Sequence, residues 1–141
     1  MGWACSSDAP EAADTHDETR VNYVQWWLSA FCLTLSIELP LVVLLLRPTA
    51  SSRWRRLGAG VFANLASHPA VWFIFTELGL PWLGMLAAAE SWALLLELVF
   101  YRFVFPGISW KRALAASSIA NAASFGLGLL IMRTLRAALG Q

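Results

Sequence analysis

Charge is scarce in this chain: only 13% of its 141 residues are Asp, Glu, Lys or Arg, about half the ~25% of an ordinary soluble domain. Nine acids against ten bases leave a net charge of +1. That is too little for a broad basic face and excludes nucleic acid as a partner. Cysteine is scarce as well. Two residues, Cys5 and Cys32, cannot support a disulfide scaffold, and they lie in a polar tail and an apolar run respectively. Disorder over most of the length is excluded by the 58% hydrophobic content. A secretory leader is not recognisable either, because the opening residues have no basic stretch followed by an apolar one.

What the chain does have is long apolar runs, with a mean hydropathy of +0.59. A bilayer core about 30 Å thick requires about 20 mostly apolar residues for a crossing helix. Four segments meet this: 22–46, 57–76, 80–101 and 113–132. Backbone amides in lipid must bond within their own segment, so these runs predict helices. The unbroken Leu-Val-Val-Leu-Leu-Leu at 41–46 lacks the alternation of a barrel strand. The fold class expected is all-α: an integral membrane four-helix bundle over residues 21–136. Ahead of it, Asp8, Glu11, Asp14, Asp17 and Glu18 mark residues 1–20 as a flexible, disordered acidic tail. The tail opens on Met1-Gly2-Trp3-Ala4-Cys5-Ser6, a short match to an N-acylation pattern.

Orientation follows from the bases. Arg47, Arg53, Arg55 and Arg56 fall in the first connection, and Arg102, Lys111 and Arg112 in the third, whereas 77–81 holds none. Seven of the ten bases thus share one side, which the positive-inside rule assigns to the cytoplasm, with both termini outside. Trp54 and Trp110 fall at the inner boundary and Trp26, Trp27 and Trp82 at the outer one, where amphipathic rings favour the headgroups. Trp92 falls mid-span, where packing is its expected role.

The informative residues are the polar ones within the spans. A charged side chain near the centre of a span costs about 2.5–3.5 kcal/mol on insertion scales. Glu38, Glu90 and Glu97 facing lipid would therefore cost about 8–10 kcal/mol together, comparable to a whole domain's stability. They are expected to face inward. Helical spacing allows it, since positions four, seven and eleven apart share a face. Glu90, Glu97 and Tyr101 form one stripe; Gly60, Asn64 and His68 (beside Ser67) another; Ala30, Thr34 and Glu38 a third; Ser117, Asn121, Ser124 and Gly128 a fourth. At ~1.5 Å per residue, His68, Glu90 and Asn121 fall near the midplane and Glu38, Asn64 and Glu97 some 5–10 Å toward the inner side.

The polar core expected from sequence is therefore Glu38, Asn64, His68, Glu90, Glu97, Tyr101 and Asn121, with no catalytic residue identifiable. No Lys or Arg occurs in any predicted span. Three unpaired glutamates point to protons, to a bound cation or to water as the compensating partner. Handling of protons or cations follows as the leading function, because intramembrane Glu/His chains are typical of proton pathways.

Two alternatives stand beside it. Glu38, His68, Glu90 and Glu97 could ligate a divalent metal in an intramembrane enzyme, although no His-Glu-x-x-His or Glu-x-x-His pattern is present. Alternatively the stripes only dock helices, since Ser, Asn and Gly are the usual adhesive between membrane helices, and the chain is a structural or assembly subunit. Pro69 after His68 and Pro40 after Glu38-Leu39 each free a backbone carbonyl that a nearby polar group could satisfy. The partners expected are the lipid bilayer and, for so small a chain, a homo-oligomer or larger membrane complex.

Overall fold

A computed structural model of the chain describes residues 11–49 and 51–138, and among these no strand occurs. The elements are α1 (Glu11–Leu45), a 3-10 turn (Arg47–Thr49), α2 (Arg53–Phe73), a second 3-10 turn (Phe75–Leu78), α3 (Trp82–Val104) and α4 (Trp110–Ala138). Four segments are long and apolar enough to cross a membrane: Arg20–Leu45, Arg53–Leu78, Trp82–Val104 and Trp110–Ala138. The shortest has 23 residues, about 35 Å of helix. The all-helical reading therefore holds, with four helices among the described residues.

Three helices start earlier than expected. Helix α1 begins at Glu11, so residues 11–20 are helical where an unordered tail is predicted. Ala and Glu in Glu11-Ala12-Ala13 are strong helix formers, and acids near a helix N-terminus complement its dipole. Residues 1–10, and with them the acylation pattern and Cys5, lie outside the described residues. Helices α2 and α4 also start several residues before their apolar runs. Ser52 caps α2 by accepting the Arg55 N–H at 3.2 Å, and Ser109 accepts the Arg112 N–H at 3.3 Å. Apolar runs mark what can sit in hydrocarbon, whereas capping serines mark where the helix begins.

The chain divides into two compact units, Met1–Ala30 and Phe31–Gln141. The second holds the remainder of α1 and helices α2 to α4. Within it α2 packs on α3 and α3 on α4, while side-chain bonds from Glu38 join α1 to α2 and α4. The packing faces consist of small residues at helical spacing: Ala59, Gly60, Ala63, Asn64 and Ser67 on α2, and Ala89 and Ala93 on α3. On α4, Ala113, Ala116, Ser117 and Ala120 are fully buried. Small side chains let helix backbones approach closely, which is how helices associate where no hydrophobic effect drives them together.

The large apolar residues point the other way. Phe62, Leu83 and Phe103 are 65–76% exposed, and Leu95, Ile119 and Leu129 also face outward. A monomeric soluble protein rarely shows so much apolar surface. Along the helix packing faces the polar and small residues are inside, while many of the bulky apolar ones are outside.

Residues Leu46, Phe105 and Ile108, from the connections after α1 and α3, meet at one end of this unit. There Arg56 Nη1 donates to the Val43 carbonyl at 2.9 Å, and Arg55 Nη2 donates to the Val104 carbonyl at 2.8 Å. These are carbonyls of the last turns of α1 and α3, which have no partner within their own helices. An apolar cluster of Val42, Leu46, Tyr101, Phe105 and Ile108, with alanines of α2 and α4, fills the same end.

Candidate functional site

Two to three turns in from that end, the four polar stripes converge on two carboxyl groups. Glu38 on α1 and Glu97 on α3 are each only 1% exposed. Asn64 on α2 donates from Nδ2 to Glu38 Oε2 at 2.9 Å, and Ser124 on α4 donates to Oε1 of the same group. Glu97 accepts from three residues: Asn121 Nδ2 at 2.7 Å, Ser117 Oγ at 3.3 Å and Ser67 Oγ at 3.5 Å. Each glutamate is thus held by donors from both α2 and α4, and every one of those donors is neutral.

The two groups belong to one network. Ser124 Oγ lies 3.1 Å from the Asn121 carbonyl, and Ser67 Oγ lies 3.4 Å from the Asn64 carbonyl. The contacts close a ring through Asn64, Glu38, Ser124, Asn121, Glu97 and Ser67. Asn64 Nδ2 also donates to the Gly60 carbonyl at 3.2 Å, and Asn121 Nδ2 to the Ser117 carbonyl at 3.0 Å. Both carboxamides are thereby fixed with their amino groups toward the acids.

The serines have a further property. A hydroxyl carries one proton, yet each of the three has two acceptors in reach. For Ser117 they are the Leu94 carbonyl at 2.9 Å and Glu97 Oε2 at 3.3 Å. For Ser67 they are the Asn64 carbonyl and Glu97; for Ser124, the Asn121 carbonyl and Glu38. Each hydroxyl can donate to a carboxylate, or turn to a backbone carbonyl and accept from a protonated carboxyl group. The ring can stay satisfied in either state of its acids.

Three residues of the expected core stand apart from these bonds. His68 is half-buried among aromatic rings: its centroid is 5.2 Å from that of Phe31 and 6.2 Å from that of Trp72, with which it stacks at 20°. It follows Ser67 by one residue, and the ~100° turn between them carries it off the ring's face. Glu90 is half-buried on α3 and takes no part in the bonds of Glu38 and Glu97. Tyr101 is fully buried, and its hydroxyl has no hydrogen-bond partner among the described residues. It lies one turn beyond Glu97, within the apolar cluster.

Among the described residues no group of three or more His, Cys, Asp or Glu could hold a metal ion. Glu38, His68, Glu90 and Glu97 are therefore not assembled as the metal-ligand set that their spacing allows. Ser67, Ser117 and Ser124 lie on the predicted stripes but read from sequence as packing residues. Only their pairing with a carboxylate on another helix reveals the second role. No protein-family model, curated protein or solved structure matches this chain.

Proposed function

We propose that this chain is a small multi-pass membrane protein whose ring around Glu38 and Glu97 takes up and releases protons. The membrane setting is supported by the outward bulky apolar residues and by four segments of sufficient length. We place the end that carries Arg47, Arg53, Arg55, Arg56, Arg102, Lys111 and Arg112 on the cytoplasmic side, as the positive-inside rule requires.

The observation that carries the proton reading is the paired choice of acceptors at each serine. Two carboxyl groups in a medium of low dielectric, with no Lys or Arg in the apolar runs 22–46, 57–76, 80–101 and 113–132, reach neutrality by binding positive charge. A proton is the cation this ring suits, because the serines can exchange donating for accepting without leaving a buried atom unsatisfied.

The test is an infrared titration of the purified protein in neutral lipid. Carboxyl bands that appear and vanish with pH, and that are diminished in Glu38→Gln and again in Glu97→Gln, are the expected result. Proton flux into vesicles under an imposed pH gradient, reduced in the same variants, would extend this from proton binding to transfer. No titrating carboxyl band, together with unchanged proton flux in the double glutamine variant, would instead favour a purely structural brace.

A further inference from the structure

We infer that the groove between the end of α1 and the start of α4 binds an anionic phospholipid, with Arg47 and Arg112 holding its phosphate. This rests on the membrane reading and is independent of the proton chemistry. The seven bases at this end of the second unit have different fates. Arg55 and Arg56 are committed to the Val104 and Val43 carbonyls. Arg53 and Arg102 lie over the rings of Trp54 and Trp110, at 5.1 Å and 5.5 Å. Arg47, Lys111 and Arg112 have no such engagement among the described residues, and of these Arg47 and Arg112 line one groove of about 460 Å³.

The rest of the groove is apolar, formed, with Pro48 beside Arg47, by Leu44 and Leu45 of α1 and Ala115 and Ala116 of α4. Those four residues lie within segments able to cross a membrane, whereas Arg47 lies just past the end of one and Arg112 in the first turn of the other. Two guanidinium groups at headgroup level above an apolar floor match a lipid with a charged phosphate and an acyl chain. The segments that line the groove bring no acid of their own, since no Asp or Glu falls over 39–76 or after Glu97. Guanidinium groups suit phosphate because their planar forks bond two oxygens at once.

The experiment is native mass spectrometry of the full chain in neutral detergent, titrated with phosphatidylglycerol or with phosphatidylcholine of the same acyl chains. Phosphatidylglycerol is expected to bind at least tenfold more tightly. Arg47→Gln and Arg112→Gln should each weaken it about fivefold, the scale of one base at an anionic surface. Lys111→Gln, outside the groove, should leave it unchanged.

A photoactivatable phosphatidylglycerol on the unaltered protein gives a second readout, with labelling expected at Leu44, Leu45 and Ala115. Equal affinity for the two lipids, an unaffected double variant, or labelling confined to other segments overturns the inference while leaving the membrane reading intact. A chain that fails to co-float with vesicles of either lipid in a density gradient overturns both.

Discussion

Arg56 of α2 donates to the carbonyl of Val43, 2.9 Å away in the last turn of α1. Only 9% of the residue is exposed, so the bond is sheltered from solvent. It satisfies a carbonyl that the helix leaves open, and it places positive charge at the negative end of the helix dipole. Arg55 does the same for α3 through Val104. Two adjacent arginines thus cap two different helices at the end where α2 begins.

Arg56→Met should lower stability by about 1–2 kcal/mol, the upper range for a partly buried cation at a helix C-terminus. Thermal unfolding in detergent, followed by loss of helical signal, would measure it. Arg56→Lys should recover part of the loss, because it keeps the charge but not the fork. An unchanged midpoint in Arg56→Met would show that the cap contributes nothing.

Glu97→Ala should cost about 2–4 kcal/mol. It removes the acceptor of Asn121, Ser117 and Ser67 and leaves a cavity between helices. Glu97→Gln fills the same space and can still accept from Asn121, so its cost should stay within about 1 kcal/mol. Denaturant titration of both variants would separate the two. Equal losses would mean that the charge, and not the bonding, stabilises the site.

Gly60 meets α1 closely: a Cβ at this position would lie 2.7 Å from Cδ2 of Leu39. Gly60→Leu should therefore cost about 1–3 kcal/mol through overpacking. Leu39→Ala in the same chain should return much of it by vacating the space, a coupling that a double-mutant cycle reads directly. Strictly additive losses would show that the two helices do not meet at this pair.

Tyr101→Phe should be neutral or stabilising by up to about 1 kcal/mol, since the buried hydroxyl it removes has no partner among the described residues. Tyr101→Ala should cost about 3–5 kcal/mol, because the ring is fully buried in the apolar cluster. Unfolding midpoints of the two variants check both signs. A large loss in Tyr101→Phe would reveal a bond to the hydroxyl.

Much of the fold is legible in the sequence because its signals are local. Each apolar run coincides with one helix to within about three residues where it overruns an end, and the stripe on α4 of Ser117, Asn121 and Ser124 supplies donors to both acids. Helix ends were less legible. Ser52 and Ser109 set the starts of α2 and α4, and strong helix formers carry α1 back to Glu11, past the point where hydropathy stops being informative. The membership of the site was partly legible: Glu38, Asn64, Glu97 and Asn121 meet, while His68 lies among aromatic rings. Residues 67 and 68 differ by about 100° around α2, enough to decide that Ser67 joins the ring and His68 does not.

The amino-acid order settled that four stretches would be helical and lipid-compatible, and that each would carry one polar face. Those properties depend on composition and periodicity within a single segment. Folding decided which donor each carboxyl group would receive, which serines would have two acceptors, and which arginines would be spent on capping. Those outcomes depend on the rotation and offset of one helix against another, where a shift of one residue moves a side chain by about 1.5 Å along the axis and 100° around it.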